Sequence, residues 1–555
     1  MSALDAIAKS HSRALLALFV ASVLSFLPGV FTIPPVDRDE VQYAQAAKQM
    51  AESGDYIDIR FQNEPYYKKP IGIFWLQTAA VSAARGLDVP NALTAIWIYR
   101  VPSLVGAISA VWLTYWAALM LVTRRAALLA GLLMASCVLL GVEARLAVTD
   151  AMLLLSTTAA LGAVALAYVV AHARPLTHRE RWMAPAIFWT AVAAGVLLKG
   201  PVIVLVVGLC VATLSWRERS IRWLGHLRPM LGLLWCSALV LPWLLAIYAQ
   251  SGAAFVSEFA RDFVPGFVRG LKSHAAPPGY FVLVFWLTFW PGSTFVGLAI
   301  PAVVRDRRVP GTSFLLAWTV PTWIVCELLV NKLPQYVLPL YPAIAILVAQ
   351  AVTTRELSNR QWLRRGTIWG VLVPLIVGAL AIGGSFAFGR SPSPIAWVLI
   401  IGAVAISIGS WRELRRDRPE AALVASVVAA LCLSAGIYGT VLPHLRPLFP
   451  AATLAEIMAR SGCAHPTAVT SLGYQEPSVV FLTGTETRAT SVTGAIAFLG
   501  GGACRFAFVD AKDAAAFAAE AAQTQLPYVE VTRVDGLNFT KGVAVALVVY
   551  QSSPR

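Results

Sequence analysis

Residues 98–142 read IYRVPSLVGAISAVWLTYWAALMLVTRRAALLAGLLMASCVLLGV. Two apolar runs, 98–122 and 126–142, are divided by a short turn that carries Arg124 and Arg125. Roughly 20 helical residues cross a hydrocarbon core of ~30 Å. Inside lipid the backbone has no water to bond, so runs of this kind fold as helices.

Working outward, the same unit recurs. Further apolar runs lie near 13–31, 151–171, 184–198, 200–215, 229–249, 280–303, 312–330, 335–353, 366–388, 394–411 and 421–441, thirteen in all. The first of them lacks a small-residue cleavage site and is expected to be a span rather than a signal peptide. Basic clusters sit between the runs, at Lys9–Arg13, Arg124–Arg125, Arg174–Arg181, Arg217–Arg228, Arg305–Arg308, Arg355–Arg365 and Arg412–Arg418. These short loops hold 22 of the 44 Lys and Arg residues, and positive charge in short loops marks the cytoplasmic side. With all seven loops inside, each neighbouring pair needs two spans between them, which the runs supply.

Composition agrees. Of 555 residues, 58% are hydrophobic and 13% charged, too few charges to clothe a soluble core. The net charge of +15 follows the loops, so it is a topology signal that points to anionic lipid headgroups and not to nucleic acid. Residues 71–86 (IGIFWLQTAAVSAARG) are apolar but short, and counting them as a span would invert everything after them. An interfacial or re-entrant helix on the outer face is the expectation.

From about 443 onward the pattern changes. Short β-like runs (AVTSL, CRFAFVD, YVEVTRV, VAVALVVY) alternate with helical ones such as AKDAAAFAAEAAQ. The expected fold is a polytopic α-helical membrane protein, residues 1–442, followed by a small outer α/β domain over 443–555. Of the seven cysteines, Cys463 and Cys504 fall in that domain, where an oxidising compartment makes a disulfide between them an expectation.

The outer loops hold the chemistry. Loop 32–97 opens with Asp37, Asp39 and Glu40 and later carries Tyr66, Tyr67, Lys68 and Lys69. EARLAVTDAM follows, with Glu143, Arg145 and Asp150, then LLKGP with Lys199. ARDFVPGFVRGLKSHAAPPGY brings Arg261, Asp262, Arg269, Lys272 and His274, and NKLPQYVLPLYP brings Lys332, Tyr336 and Tyr341. Asp39 and Asp150 each also have a plainer reading as helix caps. Ionisable residues near membrane depth are nonetheless functional candidates. Two carboxylate sites among several cations suit displacement of a phosphate-linked group. One carboxylate acts as base on the incoming hydroxyl, and Lys and Arg neutralise the departing phosphate.

The stretch VDRDEVQYAQAAKQMAESGDYIDIRFQNEPYYKKPIGIFW resembles the first periplasmic loop of the ArnT-like (4-amino-4-deoxy-L-arabinose transferase) family. That family is related to the protein O-mannosyltransferases within the GT-C glycosyltransferases. The resemblance runs through RVPS (Arg100–Ser103), EARLAVTDAM, LLKGP, LPW at Pro242, the His274–Pro277 region and KLPQYVLPLYP, and loosely to YQEPSVVFLTG at 474–484. It implies a GT-C fold of about thirteen spans and an inverting, polyprenyl-phosphate-sugar-dependent transferase. The active site would face the periplasm of a bacterial inner membrane. The acceptor would be lipid A, another envelope glycolipid or a protein, and the chain is expected to be a monomer. Residue by residue, Asp39 matches the catalytic acidic position, Asp150 the second acidic position, and Lys69 the lysine that contacts the donor phosphate. Tyr336 matches the tyrosine near the donor, and Arg269 is a looser match to a phosphate-binding arginine. Glu40 joins the catalytic group and Lys68 the phosphate group. Tyr67, Lys199, His274 and Lys332 are candidates for the acceptor side.

The chain departs from the family at Lys68, where Glu is frequent, and at Asp262, near a frequent His. Both positions are tied to metal coordination in the family, so no cofactor is assigned and a divalent metal stays open. An extra cation at Lys68 would favour an acidic donor sugar or acceptor. A transporter or flippase of lipid-linked saccharides is the alternative. It predicts internal repeats and midplane charges, whereas loop 32–70 has no second copy and the charges sit at span ends.

Overall fold

The computed structural model describes residues 3–258, 260, 275–538 and 540–553. Arg261, Asp262, Arg269, Lys272 and His274 therefore lie outside the described residues.

A helix coincides with each expected run. Eight of them, beginning with Ile96–Ala118 and Asp150–Ala173 and ending with Pro419–His444, are long and apolar enough to cross a membrane among the described residues. His11–Phe26, Val202–Glu218 and Pro310–Leu328 are shorter or less apolar. The run 126–142 divides at Cys137 into Arg124–Ser136 and Val138–Glu143.

The run 280–303 is not the single span expected. Helices Tyr280–Thr288 and Ser293–Arg305 meet at a bend of 119°. The break falls at Trp290-Pro291-Gly292, where proline has no N–H to continue the helix and disfavours helical backbone before it. A broken helix in lipid needs other partners for its freed carbonyls. The break at Cys137 supplies them: Val138 N–H donates to Trp290 O at 3.1 Å and the Cys137 thiol to Thr288 O at 3.2 Å. Each interruption satisfies the other.

Loop 32–97 forms an amphipathic helix, Asp39–Ser53, and a short hairpin pairing Arg60–Phe61 with Glu64–Pro65. The 15-residue helix Gly72–Gly86 follows, too short to span, as expected for 71–86. Gly72 is needed for a close approach. A Cβ there would stand 2.7 Å from the carbonyl oxygen of Leu197, so glycine lets this helix lie against the C-terminal end of His178–Lys199.

The C-terminal part builds a five-stranded sheet in the order Arg488–Thr490, Thr467–Ser471, Arg505–Asp510, Val543–Ser552, Tyr528–Asn538. The first three strands are parallel and the last two run antiparallel. Four of the strands match the expected β-like runs, and the fifth, Arg488–Thr490, has only three residues and gave no periodic signal. Cys463 and Cys504 form a disulfide across a sequence separation of 41. Loop-closure entropy puts the stabilisation from a loop of that length at about 4 kcal/mol. Cys463→Ser should therefore lower the unfolding midpoint of the purified protein, and a reductant should do the same to the wild type but not to the variant.

Candidate active site

Two acidic loops meet because one carboxylate holds both. Glu40, 2% exposed, takes a two-point pair from Arg100, Nε to Oε1 at 2.8 Å and Nη2 to Oε2 at 3.0 Å. Its oxygens also accept Val36 N–H (2.8 Å) from its own loop and Ala147 N–H (2.9 Å) from the second loop. Gln77 donates to Ala147 O and Ser103 to Val148 O, fixing the second loop from two further helices. Glu40, expected among the catalytic residues, is thus a buried anchor whose acceptor positions are taken.

The adjacent Asp39 differs. It opens the helix Asp39–Ser53 and its side chain is exposed. Four residues on, Tyr43 lies on the same helical face and is buried. Burial pushes the Tyr43 phenol well above its ordinary value, and the charges of Asp39 and then Asp150 add to the effect. The charges of Asp39 and Asp150 also both bear on Glu143 and on Tyr336. The two aspartates therefore lie within electrostatic reach of the same three side chains, Tyr43, Glu143 and Tyr336.

Asp150 starts its span and is joined to Lys199 by an ion pair of 2.5 Å. The same ammonium lies 5.7 Å from the centre of the Tyr336 ring. These groups come from three spans and are brought together at the ends of those helices. From the first loop, Lys69 is half-buried and Lys68 is exposed, its ammonium 5.3 Å over the Tyr66 ring. Tyr66 packs edge-on against Tyr43 and donates to Gln42 at 2.9 Å.

Other candidates face elsewhere. Tyr67 is 2% exposed, with its hydroxyl 2.7 Å from both Asp58 Oδ1 and Ser251 Oγ, so it fastens the loop to the helix Pro229–Ser251. Lys332 is 4% exposed and donates to the backbone carbonyls of Leu329 and Ala276 (3.1 Å for the latter). Arg145 donates to the carbonyls of Ser25, Pro28 and Gly141 and stacks 4.0 Å from the Tyr438 ring centre. Arg269 and His274 lie outside the described residues. Among the described residues, no three His, Cys, Asp or Glu side chains converge as a metal set.

The sequence does not single out Tyr43, and it leaves Tyr66 and Glu143 among the outer-loop residues without an assigned role. Tyr43 could have been found from its spacing of four from Asp39. Glu143, 5% exposed beside the Asp150–Lys199 pair, required the fold.

Asp37 leaves the loop in the other direction and binds the C-terminal part at Ser478. Burial lifts its carboxyl to about 6, against the two Ser478 bonds, which lower it.

Known proteins are similar to this chain in sequence and in fold. The dolichyl-phosphate-mannose-protein mannosyltransferase family matches residues 12–254. The undecaprenyl phosphate-alpha-4-amino-4-deoxy-L-arabinose arabinosyl transferase of Pectobacterium carotovorum is 27% identical over 389 residues. That alignment covers 68% of this chain and 66% of the relative, just under two thirds of its length. The Yersinia pestis protein of the same name is 26% identical over 440 residues, covering 74% of this chain and 73% of the relative. Two crystal structures of ArnT from Cupriavidus metallidurans share the fold at 18% identity. The apo form has a TM-score of 0.73, covering 98% of this chain and 100% of that one. The form bound to undecaprenyl phosphate has a TM-score of 0.75, covering 96% and 97%.

Proposed function

We propose that this chain is an ArnT-like GT-C glycosyltransferase and that Asp39 is the base with which it transfers a sugar from a polyprenyl-phosphate donor. The acceptor is lipid A, another envelope glycolipid or a protein, met at the periplasmic face of the inner membrane by a monomeric enzyme. The observation that carries the assignment is the contrast between neighbours: Glu40 is buried and bonded on all sides, whereas Asp39 is exposed at the start of the helix Asp39–Ser53.

In this reading the acceptor hydroxyl gives its proton to Asp39 as its oxygen attacks the sugar carbon. The bond from that carbon to the phosphate oxygen breaks, and the polyprenyl phosphate departs with the electron pair. Attack opposite the leaving group inverts the carbon. Lys69, Lys68 and Arg269 balance the phosphate charge, and Tyr336 lines the donor side. Asp150 holds Lys199 in its ion pair. The departing phosphate needs no protonation, so one base suffices.

The test is transfer of label from a polyprenyl-phosphate sugar to candidate acceptors by the purified chain. Lys69→Ala should raise the donor KM by about 10- to 100-fold, the worth of a charged hydrogen bond to phosphate, and change kcat less. Proteoliposomes that move the labelled donor across the bilayer intact, with no transfer to any acceptor, would overturn the reading in favour of a flippase.

A further inference from the structure

The residue just before the proposed base has an uncommon backbone. Arg38 has φ 86° and ψ −133°. Side-chain-bearing residues rarely adopt positive φ, and they hold it only where surrounding contacts impose it. Here the contacts come from the C-terminal part, more than 400 residues away in sequence. On one side, Asp37 Oδ1 accepts Ser478 N–H at 2.9 Å and Oδ2 accepts the Ser478 hydroxyl at 2.8 Å. On the other, Arg38 Nη2 donates to Thr540 O at 3.1 Å.

Both attachment points are themselves fixed. Ser478 is 1% exposed in the helix Pro477–Thr483. Glu476, one residue before that helix, accepts from Asn538 (2.7 Å) and Thr540 (2.8 Å). One carboxylate thus ties the Ser478 and Thr540 attachments into a single rigid clasp. Below it, Lys48 on the helix Asp39–Ser53 donates to Phe481 O at 2.9 Å, and Phe481 packs against Tyr99 of the span Ile96–Ala118.

We propose that Asp37 and Ser478 form a latch through which the outer α/β domain positions Asp39, making Asp37 a positioning residue rather than a catalytic one. The inference rests on Asp39 being the base. A strained segment clasped at Asp37 and at Arg38 relaxes when one clasp opens, and Asp39 is the next residue along. A misplacement of about 1 Å at a reacting group costs on the order of a hundredfold in rate.

The test uses the full chain and five variants. Asp37→Ala is expected to lower kcat by about 10- to 100-fold with donor KM and undecaprenyl-phosphate binding little changed. Asp37→Asn should recover most of the rate, because its amide oxygen still accepts the Ser478 N–H and its amide nitrogen can donate to the hydroxyl. Ser478→Ala should cost less than Asp37→Ala and add nothing to it in the double variant. An Asp37→Ala enzyme with wild-type kcat, beside an inactive Asp39→Asn, overturns the latch and leaves the base standing. Undecaprenyl-phosphate binding lost in step with kcat also overturns it, since the contact then serves the fold. Activity in Asp39→Asn removes the base and the latch together.

Discussion

Asp39→Asn lowers the rate of sugar transfer by about a thousandfold, within the range that a positioned general base contributes, and leaves undecaprenyl-phosphate binding intact. The substitution is nearly isosteric, so the site keeps its shape. What disappears is the capacity to take a proton from the acceptor. The structural cost is small, because Asp39 is exposed at the first turn of its helix. A negative charge at a helix N-terminus is worth about 0.3–1 kcal/mol, and asparagine forgoes only that. Thermal unfolding should therefore barely move while kcat collapses. The measurements are single-turnover transfer and binding of the sugar-free lipid phosphate. An Asp39→Asn enzyme within tenfold of wild type would return the residue to the plainer role of a charge at a helix start.

Those features of the molecule set by local chemistry could be read in the sequence. Hydropathy located the helices, because every span answers to the same lipid thickness. The bend at Trp290–Gly292 carried its own signal, the proline, but a long apolar run on both sides outweighed it. The catalytic neighbourhood was only half legible. Asp39 and Glu40 look alike in sequence, two adjacent acids at the head of a helix. Which of them is buried depends on Arg100, 60 residues later, and on the backbone of Ala147, 107 residues later. Tyr67 and Lys332 raised the same difficulty. A tyrosine or lysine in an outer loop reads as available until its partners, Ser251 for one and the Ala276 carbonyl for the other, are brought to it by the fold. The clasp of Asp37 on Ser478 joins opposite ends of the chain and leaves no trace in local pattern.

Glu40→Gln destabilises the protein by about 3–5 kcal/mol, the usual consequence of removing one partner from a buried ion pair. Arg100 is 1% exposed, and its charge would be left without its carboxylate. Its remaining bonds, to the carbonyls of Val30, Ile33 and Pro34, satisfy donors but do not neutralise it. Glutamine makes matters worse on the other side. Both Glu40 oxygens accept a backbone N–H, from Val36 and Ala147, and an amide turns one of those acceptors into a donor facing a donor. Replacing the pair by two leucines should not rescue stability, although apolar substitution often does for buried pairs. Here each partner also satisfies backbone groups that leucine would orphan, at a cost of about 1–3 kcal/mol each. Activity should fall beyond what instability explains, because Ala147 N–H on Glu40 holds the loop that ends in Asp150 against the loop that begins with Asp39. Thermal unfolding in detergent checks the first effect, and kcat at a temperature where the variant remains folded checks the second. A Glu40→Gln protein that unfolds at the wild-type temperature would mean that the two acidic loops find their register without it.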